Sequence, residues 1–158
     1  MTNRHQDLLR LLTRAERLAA RRLQSVLGAF DCSPEAWRVL DLLADGRGRT
    51  MTALAEHAFL PAPTLTRLVD QLVDQNLVYR RVDPADRRRV LAALTPRGVE
   101  HRELLSRAVE ADRARWAASL AEADEALLAD LLHRLTGALS GADPVTSAGA
   151  ERGAGPAR

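Results

Sequence analysis

Residues 61–98 read PAPTLTRLVDQLVDQNLVYRRVDPADRRRVLAALTPRG, and two periodicities meet there. In the first half, Leu65, Leu68, Val69, Leu72 and Val73 recur at i, i+3, i+4, i+7 and i+8, the buried stripe of an amphipathic helix. Pro63, Thr64, Arg67, Asp70, Gln71 and Asp74 fall on the opposite, polar side. In the second half, Leu77–Val82 and Val90–Thr95 are short and rich in β-branched residues, and Asp-Pro lies between them, which predicts a two-stranded hairpin. That hairpin carries Arg80, Arg81, Arg87, Arg88 and Arg89 against Asp83 and Asp86; five cations less two anions leave a local charge of +3. A helix with a polar, arginine-bearing face followed by a basic hairpin is the arrangement of a winged helix gripping DNA.

Leu65-Thr66-Arg67-Leu68-Val69-Asp70-Gln71-Leu72, then Leu77-Val78-Tyr79-Arg80, Asp86-Arg87-Arg88 and Leu94-Thr95-Pro96-Arg97-Gly98 follow one another in an order and spacing that resembles the MarR family of bacterial regulators. The similarity extends over roughly residues 5–140. It implies a mostly α fold with a small β-hairpin wing, a winged helix-turn-helix in a six-helix dimer. Two positions depart from the family pattern. Pro61 replaces the Ser or Asp that caps the recognition helix, and Asn76 stands for the glycine after it, a substitution that the left-handed conformation tolerates.

Outward from this stretch, residues 5–30 form a long first helix with Leu8, Leu11, Leu12, Leu18, Leu23, Val26 and Leu27 on its apolar side. Its arginines, Arg10, Arg14, Arg17, Arg21 and Arg22, read as a solvated flank. Ser33, Pro34 and Glu35 announce a second helix with Trp37, Leu40 and Leu43 toward the core, and Asp45-Gly46-Arg47-Gly48 ends it. Thr50 or Thr52 caps a short third helix, Ala53–Ala58, anchored by Leu54. After the hairpin, Thr95 and Pro96 open a helix reaching about Leu120, and a last one spans Asp124–Leu139; the junction reads either as a bend or as a break. Residues 1–30 and 96–140 are thus expected to form a helical dimerisation region, 31–95 a DNA-binding lobe, and 141–158 a disordered tail rich in Gly, Ala and Pro.

Composition narrows the function classes. The 158 residues and 46% apolar content suit one domain with a substantial core. No 18-residue apolar run occurs and the first residues lack a signal-peptide segment, so a cytoplasmic protein without membrane partners is expected. Net charge is only +2, but all 23 cationic side chains are arginine, which suits phosphate and guanine contacts, and 3% aromatics argue against single-strand stacking. No Gly-rich phosphate loop, nucleophile elbow or metal-ligand spacing is present, so no catalytic residue, metal or cofactor is assigned.

By the resemblance, Arg88 is the wing-tip residue that enters the minor groove, flanked by Arg87 and Arg89 on phosphates, with Asp86 structuring the wing. Thr64 and Arg67, with Thr66 and Gln71 behind them, face the major groove; Thr64 and Thr66 compete with first-turn capping, and Arg67 with pairing to Asp70 or Gln71. Leu8, Leu11, Leu12, Leu127, Leu131 and Leu135 are candidates for the interface of a homodimer on a pseudo-palindromic double-stranded operator, with half-sites roughly 10 bp apart. The resemblance further implies a repressor relieved by a small aromatic or phenolic effector near Phe30, Trp37, Arg38 and Trp116. Alternatives are a redox-responsive regulator using Cys32, whose thiol a neighbouring helix N-cap could acidify against the expected reading of a plain packed or idle thiol, and a protein-interaction module without DNA. Glu100 and His101 alone do not make a metal site, since Leu105 stands where a further ligand would fall.

Overall fold

The computed structural model describes residues 3–141, with six helices and one three-stranded antiparallel sheet. The expected tail beyond Gly141 lies outside the described residues. The first helix, α1 (Asn3–Gly28), ends two residues before its expected limit because the chain turns back through Asp31 at φ 52°, where the Cys32 N–H reaches the Leu27 carbonyl at 3.2 Å. Ser33 then caps α2 (Pro34–Leu42): its Oγ accepts the Ala36 N–H at 3.1 Å, and Pro34 occupies the first turn, where no N–H is needed. Ala36, Val39, Leu40 and Leu43 are buried, whereas Trp37, expected in the core, is half-buried.

Gly46 and Gly48, both at positive φ, lead into a strand absent from the sequence reading, β1 (Arg49–Thr50). Thr50 also caps α3 (Met51–Ala58), accepting the Ala53 N–H at 3.2 Å, so that helix begins two residues earlier than expected. Next comes α4 (Ala62–Asp74), which buries Leu65, Val69 and Leu72, with Leu68 and Val73 half-buried beside them. Its C-terminus closes in a Schellman arrangement: Asn76, at φ 55°, donates to the Val73 carbonyl and Leu77 to that of Leu72, both at 2.9 Å. The hairpin follows as β2 (Val78–Val82) and β3 (Val90–Leu94), registered from Val78 opposite Leu94 to Val82 opposite Val90. With β1 paired to the other edge of β3, Arg49 opposite Ala92, the strand order is β1-β3-β2.

The long helix after the wing, α5 (Pro96–Ala117), stops three residues short of its expected end, and α6 (Glu122–Gly141) begins two residues early. The junction is a break, with Glu122, Asp124 and Glu125 in the first turn of α6, where acidic side chains meet the positive end of the helix dipole. By internal contacts the chain divides into residues 1–116 and 117–158. In the first unit, the core of the lobe draws on helices outside 31–95: Leu27 of α1 and Leu105 of α5 are fully buried with Leu40, Leu43, Leu54 and Val69. In the second, no residue of α6 between Glu122 and Gly141 is buried. No helix among the described residues is long and apolar enough to cross a membrane.

Candidate nucleic-acid interface

Between α3 and α4 the chain turns at Phe59, which takes the left-handed conformation at φ 55°. The turn is held by backbone bonds from Phe59 to the Glu56 carbonyl and from Leu60 to that of Ala55, at 3.2 and 3.0 Å. Pro61 offers α4 no side-chain cap. Pro63 lacks an N–H, so the amides of Ala62 and Thr64 are the donors left at this end. Because the stripe Leu65–Val69–Leu72 faces the core, Thr64, Thr66, Arg67, Asp70 and Gln71 face solvent. The Thr66 hydroxyl donates to the Ala62 carbonyl at 2.9 Å, so its proton is committed to its own helix. Arg67 has no hydrogen-bond or ion-pair partner among the described residues; the Asp70 carboxylate instead accepts from Arg80 Nη2 at 2.5 Å.

The tip of the hairpin is shaped by two aspartates acting on backbone amides. Asp83 Oδ1 accepts the Ala85 N–H at 2.9 Å, and Asp86 Oδ1 the Arg88 N–H at 3.0 Å. Backbone bonds from Arg89 to the Asp86 carbonyl and from Asp83 to the Arg89 carbonyl, both 2.9 Å, complete the turn. Arg87, Arg88 and Arg89 project from it, exposed and without partners among the described residues. The other hairpin arginines are occupied. Arg80 holds Asp70, and Arg81 Nη2 donates to the Arg47 carbonyl at 2.7 Å. Free guanidiniums therefore concentrate at the tip rather than along the strands.

A third set of contacts joins the end of α4 to the start of α5; the sequence reading has Thr95 opening that helix and Gly98 as part of the exit motif, without their contacts to α4. Thr95 Oγ1 donates to the Asn76 carbonyl at 2.7 Å and accepts the Gly98 N–H at 2.9 Å, while the Thr95 N–H reaches the Leu77 carbonyl at 3.0 Å. A Cβ on Gly98 would stand 1.9 Å from that Leu77 oxygen, so only glycine fits. This lock fixes the exit of α4 and the root of β2 together.

The residues expected to line an effector pocket are not gathered by either of two shallow grooves on the lobe. One, of about 560 Å³, lies between the N-terminal end of α3 and the wing at Thr52, Glu56 and Arg89; the other, of about 330 Å³, lies between α3 and α4 at Ala55, Leu60 and Thr66. Phe30 and Trp37 instead pack on the core, and Trp37 lies under the Arg102 guanidinium, 6.0 Å from its ring centre. Arg38 is committed inside the lobe, donating to the Ala58 carbonyl at 3.0 Å and to Glu35 at 3.2 Å, and Trp116 is in the last turn of α5, 42% exposed. Cys32 is buried. Burial pushes its thiol above the ordinary range, outweighing the lowering from the Trp37 amide, which favours the packed thiol over the acidified alternative. Among the described residues no three His, Cys, Asp or Glu side chains are placed to hold a metal ion.

Helix, turn, helix and a sheet-borne tip with free arginines define a winged helix-turn-helix protein. Residues 30–89 match the model of the MarR family. A protein assigned as transcriptional regulator of the hcr operon in Thauera aromatica is 30% identical over 103 residues, 65% of this chain; the match spans only 62% of that protein. AbsC, a MarR family transcriptional regulator from Streptomyces coelicolor, superposes with a TM-score of 0.77 at 25% identity, covering 90% of this chain and 98% of its own. NadR, solved in complex with 4-hydroxyphenylacetate, gives 0.70 at 27% identity, covering 78% and 88%. Over residues 30–89 the chain is thus similar to the MarR family, and its fold is that of the MarR-family structures it superposes on.

Proposed function

We propose that the chain is a cytoplasmic, homodimeric transcriptional regulator that binds double-stranded DNA. The observation that carries this reading is that Arg67 on the polar face of α4 and Arg87, Arg88 and Arg89 on the wing tip are exposed and have no hydrogen-bond or ion-pair partner for their guanidiniums among the described residues. In it, α4 enters the major groove with Thr64, Arg67 and Gln71 toward base edges. Arg88 enters the adjacent minor groove, where the negative potential is concentrated, and Arg87 and Arg89 meet phosphates. Thr66, its proton committed to Ala62, serves only as an acceptor or apolar contact.

Two-fold pairing rests on the leucines that one chain leaves open. Leu8 and Leu11 of α1 and Leu127 and Leu131 of α6 are exposed, with Leu12 and Leu135 half-buried. Repression relieved by a small aromatic acid is the simplest regulatory scheme. It is supported by the similarity to MarR-family regulators and by the 4-hydroxyphenylacetate held in NadR.

The test is a salt titration of duplex binding. Log affinity should fall by about 0.9 per log unit of salt for each phosphate neutralised, and Arg88→Ala should weaken binding about tenfold with dimerisation and helical content unchanged. Salt-independent binding, or equal affinity of Arg88→Ala and parent, would overturn the assignment and favour a protein-interaction module.

A further inference from the structure

Arg67 and Asp70 are i, i+3 neighbours on the exposed side of α4, a spacing at which arginine and carboxylate pair on a helix surface. This chain uses that opportunity elsewhere. Arg38 pairs with Glu35 at 3.2 Å, Arg113 with Glu110 at 2.5 Å, and Arg134 with Asp130 at 3.8 Å, all three or four residues apart. Arg67 and Asp70 do not. The Asp70 carboxylate is held by Arg80, ten residues away on β2, and Arg67 is left without a partner among the described residues. Arg80 reaches Asp70 because it shares a strand face with Val78, which is buried against the core that α4 also covers.

We propose that Arg80 is a positioning residue for DNA recognition: it is the counter-ion that holds Asp70 toward the wing, so that Arg67 stays free to reach a base edge. The inference rests on the DNA-binding reading above. Two consequences follow from the geometry. Asp70 cannot neutralise the single cation on the recognition face, and its own charge is cancelled before it can repel a phosphate. The pair also ties α4 to β2, so the wing and the recognition helix approach DNA as one body. Without Arg80, the nearest cation to Asp70 along the helix is Arg67, and the carboxylate turns to it.

The experiment uses the full chain, a duplex it selects from a random pool, and a scrambled duplex of equal length. Arg80→Ala should lower the preference for the selected duplex about tenfold, within the range of a lost arginine–base contact, while the thermal midpoint stays within about 2 °C because the pair is half-exposed. Adding Asp70→Asn to Arg80→Ala should bring the preference back to within about twofold of Asp70→Asn alone, since no carboxylate is left to capture Arg67. The salt slope should be the same in all these variants. A double variant as unselective as Arg80→Ala overturns the proposal, as does a slope lowered by about 0.9 in Arg80→Ala, the signature of a direct phosphate contact. Unchanged preference in Arg80→Ala overturns it too. Failure of the parent itself to bind any duplex in a salt-dependent way overturns the DNA-binding reading beneath it, an outcome distinct from failed rescue.

Discussion

The lobe around α4 and the final helix α6 use leucine in opposite ways. In the lobe, Leu27, Leu40, Leu43, Leu54 and Leu105 have no exposed surface at all, and Leu65 retains 1%. Along α6, Leu127, Leu128, Leu131, Leu132 and Leu139 are all at least 40% exposed, and none of the helix's residues is buried. Both sequences are equally apolar to the eye, so composition does not separate them; the difference is whether one chain supplies the opposing surface. In the proposed homodimer, contiguous exposed leucines of this kind would be covered by association, whereas the lobe's core is complete in one copy. The parts proposed to face DNA are thus built on a self-sufficient support.

The largest effects should come from breaking that support. Gly98→Ala places a methyl on the Leu77 carbonyl, and backbone rather than side chain must yield; a loss of more than about 4 kcal/mol in urea unfolding is expected. Leu65→Ala removes a side chain that is fully packed under α4 and should cost about 2–5 kcal/mol in the same measurement. If either proved harmless, the lobe would not be the closed unit that its burial describes.

The same kind of change in α6 should read out differently. Leu131→Asp leaves no core cavity, since Leu131 is 48% exposed, but puts a charge on the apolar stripe. Self-association in sedimentation equilibrium should weaken at least about tenfold, with helical signal nearly unchanged at high protein concentration. A fully dimeric Leu131→Asp protein would place the interface elsewhere and dissolve the contrast between the two regions.

What sequence made legible follows the range of the forces involved. The strands of the wing were readable to within a residue, and Ser33 and Pro34 as the start of α2, because periodicity and capping act over a few residues. The strand Arg49–Thr50 was not: two residues carry no period, and β1 exists only through pairing with β3, some forty residues on. Arg38 looked available to an effector, but its tie to the Ala58 carbonyl spans twenty residues and two helices. Arg80 looked like one more basic residue of the hairpin, and Asp70 like a rival for Arg67, until the fold paired the two with each other. Cys32 was expected to be packed, with the pull of a helix N-terminus as the competing effect; burial outweighs that pull and raises the thiol's pKa. Accordingly, alkylation of Cys32 should be slow in the native protein and rise steeply on unfolding, and fast native alkylation would show the thiol to be open.

The smallest expected effect lies on α5, which stands between the two extremes: Leu105 is in the lobe's core while Leu104 beside it is 42% exposed. His101, one turn before Leu105, is partly buried, and that burial, reinforced by the positive charge of Arg97, lowers its pKa from the ordinary 6.5. The unfolded chain therefore binds a proton more readily than the folded one near that pH. Stability contributed by neutral His101 is present above pH 6.5 and is lost as pH falls through the folded value. Asp112, whose carboxylate is held low by the Arg22 guanidinium at 2.7 Å, acts in a separate and more acid window: its contribution is present above about 3.8 and disappears as pH falls further. His101→Gln should flatten the fall in thermal midpoint just below neutrality and leave the acid limb intact, whereas Asp112→Asn should do the reverse. A midpoint that falls just as steeply near pH 6 in His101→Gln would assign that titration to another group and show that α5 reaches the lobe's buried environment through Leu105 and not through His101.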